Sequence, residues 1–329
     1  MIGYYAAVRY LCRRLGQGLL VLFAVSALSF ALAETAPGSI VDELRLNPRI
    51  SPATIAAMRD RYGLDESLPE KYLHWLQSIW RRDFGYSVIY QGPVAPLLWP
   101  RVRNTLLLTV TATALAWLVA LVVGAWAASR KGQWPDRLTA AGTTILLSVP
   151  DLLLGLLLLL LAVRTGYFPT GGLASVGFDE LGTLEKLGDL GAHLFLPVTG
   201  LMLIELPTLA RHVRASLIEV LQAPFIQAAR ATGISEQRLL VRHALRAAAN
   251  PLIALFGLSV AGLLSASLVI EAVMSWPGLG LLLLEAVGAR DLHLVVAAVT
   301  CSTILLIAGN LLADALLYLA DPRVRPQQA

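Results

Sequence analysis

Long apolar runs alternate with short polar segments along the whole chain. Six of these runs are long enough for a helix that crosses a bilayer, which needs about 20 predominantly apolar residues. Their approximate bounds are 11–33, 103–129, 138–163, 194–215, 248–271 and 292–319. The fourth run is the weakest, because Glu205 and Pro207 interrupt it and Arg211 follows soon after. The pattern predicts an all-α protein with six membrane-spanning helices.

The polar segments differ in charge, and the difference orients the predicted spans. Arginine and lysine concentrate before the first run, between the second and third, between the fourth and fifth, and after the sixth. Loops rich in these residues stay on the cytoplasmic side of a membrane. Both termini are therefore expected in the cytoplasm.

Two of the remaining segments are predicted to lie outside the cell membrane. Segment 34–100 is expected to form a small extracytoplasmic subdomain with a helix from Ser51 to Tyr62 and a second one at about Pro69–Arg81. Ser51 suits the cap of the first helix. The loop 166–193 is rich in glycine and acidic residues and is expected to be irregular.

Composition supports a membrane protein and excludes several other classes. Hydrophobic residues make up 57% of the chain and charged residues only 15%, whereas soluble domains carry about 25% charged residues. The net charge of +4 comes from basic residues beside the apolar runs, so nucleic acid is not an expected partner. The histidines show no paired ligand spacing, and no metal site is expected. No G-x-x-x-x-G-K-[ST] phosphate-binding loop occurs in the chain.

One polar stretch between two apolar runs carries clear helix boundaries. Residues 224–246 read PFIQAARATGISEQRLLVRHALR. Pro224 suits the first position of a helix, and Gly233 is the residue type that commonly ends one. Ser235 suits the cap of a second helix, with Glu236 favoured at its N-terminus. The stretch predicts a short helical hairpin.

The two helices of this hairpin have different predicted faces. Small and apolar residues share one side of the first helix, and arginines recur every four residues along the second. These residues are Phe225, Ala228, Ala229 and Thr232, and then Arg238, Arg242 and Arg246. The predicted apolar arc of the second helix consists of Leu240, Val241, Ala244 and Leu245, and Leu239 falls outside it. The pattern leaves open whether the hairpin lies on anionic lipid or docks into a groove of a partner.

Several segments, in order along the chain, resemble one family. QAARATG (227–233) resembles the EAA loop of ABC-transporter permeases, although Gln227 replaces its glutamate. Further matching segments are RYGLDESLPEKYLHWL (61–76), RRDFGYS (81–87), NTLLLT (104–109), SVPDLLLG (148–155), RHVRASLIEVL (211–221), VIEAVMSWPGLG (269–280) and DPRVR (321–325). The chain is most similar to the B-type permease subunits of dipeptide, oligopeptide and nickel importers.

The resemblance implies a fold and a place in the cell. It implies the type I ABC importer permease fold in a bacterial or archaeal cytoplasmic membrane. The implied division is a first helix with its N-terminus, the extracytoplasmic subdomain, a permease core containing a cytosolic coupling loop, and a tail. The corresponding ranges are 1–33, 34–100, 101–320 with the loop at 217–247, and 321–329.

The resemblance also implies a function and partners. The chain would move di- or oligopeptides across the membrane together with a homologous second permease, two ATPase subunits and an extracytoplasmic solute-binding protein. It would bind no cofactor and catalyse no reaction itself, because the partner chains would use ATP and Mg. The expected contacts to the ATPase are Phe225, Gln227, Ala228, Ala229, Gly233, Arg238 and Arg242.

Ionisable residues within predicted spans are costly and are therefore functional candidates. Asp151, near the middle of the third run, and Glu205, in the fourth, are candidates for the translocation path, with Glu271 as a third. Each carboxylate has the alternative of a purely structural pairing. The turn Trp276-Pro277-Gly278 is a candidate for a place near the outer gate.

Three other interpretations remain beside the peptide importer. The same kind of importer can carry nickel or a metal chelate. A self-sufficient secondary transporter or channel predicts an inverted repeat or an ion path of buried charges, and neither is found in the sequence. A membrane enzyme requires clustered catalytic residues at one membrane face, whereas the ionisable residues here are scattered.

Overall fold

The computed structural model describes residues 2–34, 51–53, 56–57, 67–87 and 89–320. Helices dominate this part of the chain, and a two-stranded antiparallel sheet accompanies them. The architecture is therefore all-α in its membrane part.

The helices and strands are numbered in chain order. The helices are α1 (Ile2–Glu34), α2 (Leu68–Trp80), α3 (Ala95–Ser129), α4 (Trp134–Leu147), α5 (Asp151–Thr165), α6 (Thr183–Leu221), α7 (Pro224–Ala231), α8 (Glu236–Arg238), α9 (Leu245–Ala247), α10 (Ala249–Val273), α11 (Leu279–Gly288) and α12 (Leu292–Ala320). A 3₁₀ turn lies at Phe178–Glu180 and a π-helix at Leu239–Ala244. The strands are β1 (Tyr86–Ser87) and β2 (Gly92–Pro93), with Tyr86 opposite Pro93.

The described helices account for all six predicted spans, but the third span has an unexpected shape. α1, α3, α6, α10 and α12 are each long and apolar enough to cross a membrane. α4 and α5 meet the same criterion only as a pair, and they are bent by 97° at the break between them. The predicted fold class is confirmed, with the bent pair as the sixth span.

The break in the third span lies at Ser148–Pro150. Proline lacks an N–H and disfavours the helical conformation of the residue before it, and Pro150 is extended at φ −59° and ψ 142°. The Ser148 hydroxyl donates to the Thr144 carbonyl at 2.8 Å, where α4 ends. Asp151, expected in the middle of a span, is instead the first residue of α5. A helix N-terminus favours its negative charge.

α6 is longer than the sequence predicts, and its prolines do not end it. It runs for 39 residues through Pro197 and Pro207, and both rings are buried. It begins at Thr183, so the expectation of an irregular loop is wrong for 183–193. The carboxylate of Glu185 accepts a hydrogen bond from the Gly182 N–H at 2.9 Å. This bond satisfies a free backbone donor at the helix start.

The chain divides into two compact units. The first comprises Met1–Leu15, Leu107–Trp276 and Leu306–Ala329. Its main apolar core gathers Leu201, Leu263, Ile270 and Trp276 from α6, α10 and the turn after it. A Cβ added at Gly155 of α5 or Gly200 of α6 would lie 3.2 or 3.1 Å from Ile270 Cδ1. Small residues therefore allow both helices to approach α10 closely.

The second unit comprises Gly16–Leu106 and Pro277–Leu305. Here α2 packs on α1, where Tyr72 lies edge-on to Phe30 and shares a 2.8 Å hydrogen bond with Ser26. The expected second helix, Pro69–Arg81, is thus confirmed within one residue. On this helix Tyr72 and Trp75 are buried, whereas Trp80 is 91% exposed.

The sheet of the second unit is attached to the start of α12. Asp291 is buried, and its carboxylate accepts hydrogen bonds from Ser87 Oγ at 2.6 Å and from the Ile89 N–H at 3.3 Å. The other helix expected in segment 34–100, from Ser51 to Tyr62, lies mostly outside the described residues.

Candidate functional site: the polar hairpin, the membrane carboxylates and the Trp-Pro-Gly turn

The first helix of the polar hairpin has the boundaries that its sequence predicts. α7 begins at Pro224 and ends at Ala231, directly before the chain turns. Gly233 has φ +83°, in the left-handed region that glycine adopts without a steric cost. Only Gln222 and Ala223 separate α7 from the end of α6. α7 is therefore joined by a very short link to a membrane-spanning helix.

The predicted small-residue face of α7 is turned outward. Ile226 is fully buried and holds the helix against the protein, whereas the Phe225 ring is 53% exposed. Ala228 and Gln227 are exposed and Ala229 is half-buried. A large exposed aromatic side chain beside alanines gives α7 a narrow apolar surface that no described residue covers.

The second half of the hairpin differs from its prediction. Ser235 occupies the cap position, but its side chain makes no capping hydrogen bond. The chain then passes from α8 into a π-helix, whose i→i+5 hydrogen bonds change the angular spacing of side chains. Leu239 is fully buried and Val241 is 66% exposed, opposite to the prediction for these two residues, whereas Ala244 of the predicted arc is fully buried and Leu240 and Leu245 pack beside it. Arg238 and Arg242 are both exposed, as a basic surface requires.

An ion pair joins the two halves of the hairpin. The Arg230 guanidinium donates from Nε to Glu236 Oε1 and from Nη2 to Oε2, the latter at 3.0 Å. Its Nη1 donates to Gln227 Oε1 at 3.0 Å. These bonds lower the pKa of the Glu236 carboxyl and raise the pKa of Arg230. Glu236 therefore serves as the partner of Arg230, a role that the sequence analysis missed.

Two of the candidate carboxylates lie near each other in membrane-spanning elements. Asp151 is exposed at the start of α5 and interacts electrostatically with Glu205 of α6. Glu205 is half-buried, and a Cβ at Gly262 of α10 would lie 3.4 Å from its Oε2. Among the described residues, none donates a hydrogen bond to the Glu205 carboxylate. Glu271, the third candidate, is fully buried within the first unit.

The Trp276-Pro277-Gly278 turn is buried and held by distant residues. Trp276 is fully buried, and its backbone N–H donates to the Glu271 backbone carbonyl at 2.9 Å. The Asn104 side-chain amide donates to the Pro277 carbonyl at 2.8 Å.

Thr105 holds the residue that follows this turn. Its Oγ1 accepts from the Leu279 N–H at 2.8 Å. The sequence analysis missed Asn104 and Thr105 as anchors, although they stand out as neighbouring polar residues at the start of the second apolar run.

The candidate residues thus fall into three separate places. The hairpin brings Phe225, Gln227, Ala228, Ala229 and Gly233 together, and Asp151 lies near Glu205. The third place is the Trp276-Pro277-Gly278 turn, where the backbone N–H of Trp276 donates to the carbonyl of Glu271. Among the described residues, no three His, Cys, Asp or Glu side chains are arranged to hold a metal ion. The arrangement supports docking and conformational movement.

Family models match nearly the whole chain. Residues 120–326 match the family described as "Binding-protein-dependent transport system inner membrane component". Residues 7–109 match "Binding-prot-dependent transport system membrane comp, N-term".

Curated relatives match over the same length. The oligopeptide transport system permease protein AppB of Bacillus subtilis (strain 168) is 35% identical over 317 residues, which cover 96% of this chain and 98% of AppB. The oligopeptide transport system permease protein OppB of Mycobacterium tuberculosis (strain ATCC 25618 / H37Rv) is 32% identical, covering 96% of this chain and 99% of OppB. The glutathione transport system permease protein GsiC of Escherichia coli (strain K12) is also 32% identical, covering 97% and 99%.

A solved structure shares the fold. The inward-facing MetNI methionine ABC transporter contains a chain that superimposes with a TM-score of 0.56 at 20% identity, covering 68% of this chain and 96% of that one. At this identity the likeness shows the fold, that of a type I ABC importer permease. Together with the family matches, it shows that the chain belongs to the family of inner-membrane components of binding-protein-dependent transport systems and is a multi-span permease subunit.

Proposed function

We propose that this permease carries short peptides in an importer driven by partner ATPases. The proposal is supported by the names of its relatives, since AppB and OppB are named for oligopeptides and GsiC for glutathione, a tripeptide. In this proposal a homologous second permease completes the membrane part. A solute-binding protein delivers the peptide from the extracytoplasmic side. Two ATPase subunits bind ATP and Mg on the cytoplasmic side, where both termini of this chain also lie.

The observation that carries the coupling role is the exposed face of α7. An amphipathic helix that rests on lipid needs a broad apolar face, and α7 presents one aromatic ring, Phe225, beside alanines. A single exposed aromatic side chain that can enter a pocket is instead typical of a docking anchor. This geometry favours a protein groove over a lipid surface, and the exposed Arg238 and Arg242 supply positive charge next to that anchor.

The hairpin is built to transmit movement. The Arg230–Glu236 pair ties α7 to α8 across the turn at Gly233. α6 enters the hairpin at one end, and α10 leaves it shortly after the other. When the ATPases close on nucleotide, a hairpin that moves as one body would shift both helices and alternate the access of the pathway.

Asp151 and Glu205 are placed on the translocation path in this proposal. Charged groups in membrane-spanning elements face a bundle interior or a water-filled cavity and not the acyl chains. Their shared negative charge suits the ammonium group of a peptide N-terminus. Because Glu271 is fully enclosed, the proposal gives it a structural role. The buried turn at Trp276-Pro277-Gly278 would shape the outer gate as a fixed element.

Reconstitution of the complete importer tests the transport function. The chain would be purified with the second permease, the ATPases and the binding protein encoded beside it, and inserted in liposomes. We expect ATP-dependent uptake of a labelled tripeptide and no uptake of nickel under the same conditions. Peptide uptake that persists without the ATPases would overturn the coupling, and nickel uptake alone would overturn the substrate class.

A bulky substitution on the docking face tests the role of α7. Ala228→Trp places a large side chain beside Phe225 on an exposed surface, so it should leave this chain folded but prevent close approach of a partner. We expect loss of stimulated ATP hydrolysis and of ATPase co-purification. Ala247→Trp is the matched control, because Ala247 is exposed in α9, outside the docking face. Equal effects of the two substitutions would contradict docking at α7.

A further inference from the structure

A cavity of about 260 Å³ lies beside the hairpin, within the first unit. One wall is the end of α3 and the segment after it, and the other is formed by the end of α6 and the hairpin. The lining residues are Ala128, Ser129, Arg130, Lys131, Gln133, Ile218, Leu221, Gln222, Gln227, Arg230, Glu236 and Leu240. The volume is many times that needed for one water molecule, so a small polar group fits together with its hydration.

The lining carries an excess of positive charge. Three cations face a single carboxylate, Glu236. Arg230 already donates to Glu236 and to Gln227, so its charge is compensated within the hairpin. Arg130 and Lys131 form no ion pair with the described part of the chain. The side chains of Gln133 and Gln222 add amide donors. The lining is therefore suited to an anion.

The position of the cavity identifies the source of that anion. Ser129 ends α3 and Leu221 ends α6, and both helices are long and apolar enough to span a membrane. The apolar run of α3 stops at Ser129, directly before Arg130 and Lys131, and basic side chains that directly follow a membrane-spanning run reach the lipid headgroups. Basic pockets between membrane helices at this level are suited to phosphate-bearing headgroups. Ile218 and Leu221 supply an apolar wall for the glycerol and acyl part of a lipid.

We propose that this cavity binds the phosphodiester headgroup of an anionic lipid, with Arg130 and Lys131 as the main phosphate ligands. An acidic side chain of a protein partner would share the charge but would not use the apolar residues Ile218 and Leu221 of the lining. A lipid is therefore the ligand that fits both the basic and the apolar residues of the lining. This proposal does not depend on the identity of the transported solute.

The test measures lipid binding to the full-length chain purified with its partner permease. Native mass spectrometry would follow titration with dioleoyl phosphatidylglycerol and, separately, with dioleoyl phosphatidylcholine. We expect one phosphatidylglycerol molecule to bind saturably at this site, and we expect no binding of similar affinity for phosphatidylcholine. Removal of two basic residues should weaken that binding roughly thirtyfold, about fivefold for each. The variant is Arg130→Gln with Lys131→Gln.

Two further variants separate the site from general surface charge and from misfolding. Arg137→Gln with Arg246→Gln removes two exposed cations that do not line the cavity, and it should change the affinity of the saturable lipid by less than about threefold. Gln133→Glu adds a carboxylate to the cavity at the cap position of α4. A negative charge there favours the helix, so this variant should retain the fold while losing the lipid.

Each alternative has its own outcome. If inorganic phosphate competes the lipid away at low concentration and binds equally well alone, the ligand is free phosphate and the lipid assignment is wrong. If added ATPase subunits displace the lipid and Arg130→Gln with Lys131→Gln weakens their attachment, the cavity belongs to the protein partner. Equal losses in the cavity variant and the Arg137/Arg246 control would also overturn the proposal.

Discussion

The chain reverses its direction before and after α10. The first reversal is held by a bond within its own segment, and the second by bonds to residues far away in sequence. The hairpin before α10 is exposed, and its ion pair joins Arg230 to Glu236, six residues apart. The turn after α10 is buried at Trp276. Its hydrogen bonds join Pro277 and Leu279 to Asn104 and Thr105, 173 and 174 positions away in sequence.

The difference separates an element that fixes its own shape from one that is tied to remote residues. The ion pair keeps the shape of the hairpin, the buried side chains of Ile226 and Leu239 attach it to the protein, and Phe225 remains exposed. Pro277 and Leu279 are tied instead to Asn104 and Thr105 of α3. Substitutions in the turn should then cost stability, and those in the hairpin should mainly cost coupling.

The largest expected loss of stability follows from substitution of the buried tryptophan of the turn. Trp276→Ala leaves a large cavity in the core of the first unit and should lower the free energy of unfolding by about 3–5 kcal/mol. Denaturant unfolding in detergent would measure it. Trp80→Ala is the matched control, because Trp80 is 91% exposed, and it should change stability by less than about 0.5 kcal/mol. Similar values for both would contradict this stabilising role of the turn.

The next effect concerns a single hydrogen bond that anchors the turn. Thr105→Val keeps the side-chain shape but leaves the buried Leu279 N–H without its acceptor, at an expected cost of about 1–3 kcal/mol. Hydrogen exchange of the Leu279 amide should accelerate. In the control Thr111→Val, the lost hydroxyl donates to the Leu107 carbonyl of its own helix and has no other partner within the described part of the chain. If Thr111→Val is equally destabilising, the remote anchor is not responsible.

A smaller effect is expected at the glycine of the hairpin. Gly233 has φ +83°, where a residue with a Cβ costs about 1–2 kcal/mol, so Gly233→Ala should destabilise the protein by that amount. Gly188→Ala provides the contrast, since nothing lies within 4 Å of its added Cβ and alanine is favoured in a helix. We expect Gly233→Ala to lower the thermal unfolding temperature and Gly188→Ala to raise it. A change in the same direction for both variants would contradict the backbone argument.

The smallest effect is the pH dependence of the hairpin. Because Arg230 lowers the pKa of Glu236 from its ordinary value of 4.5, the ion pair stabilises the hairpin above that value and is lost as the pH falls through the lowered pKa. Both side chains are largely exposed, so the protection of hairpin amides from hydrogen exchange should fall by only about threefold on acidification. Glu236→Gln should abolish this dependence, and Glu219→Gln, outside the hairpin, should retain it.

Local features of the hairpin follow directly from its residues. Pro224 and Gly233 bound α7 because a fixed φ and a missing Cβ are properties of single residues. The exchange of Leu239 and Val241 does not follow, because the prediction assumed α-helical spacing and the segment Leu239–Ala244 is a π-helix. Ala244, three residues after Val241, is fully buried beside Val213 and Leu217 of α6.

The behaviour of the prolines and of the turn is also not predictable from single residues. Pro150 breaks a span while Pro197 and Pro207 do not, although all three are equally visible in the sequence. The two that are tolerated are enclosed by neighbouring residues, which single-residue reasoning does not see. Asn104 and Thr105 are likewise visible as a polar pair, but their partners lie more than 170 positions away.

The break at Pro150 constrains what can surround it. α4 has 14 residues and α5 has 15, which give lengths of only about 21 and 22 Å, short of the roughly 30 Å thickness of the hydrocarbon layer. Neither half is long enough to cross that layer alone. Backbone carbonyls and amides within the layer do not tolerate acyl chains as neighbours. We therefore expect the break at Pro150 to contact water or another polypeptide chain.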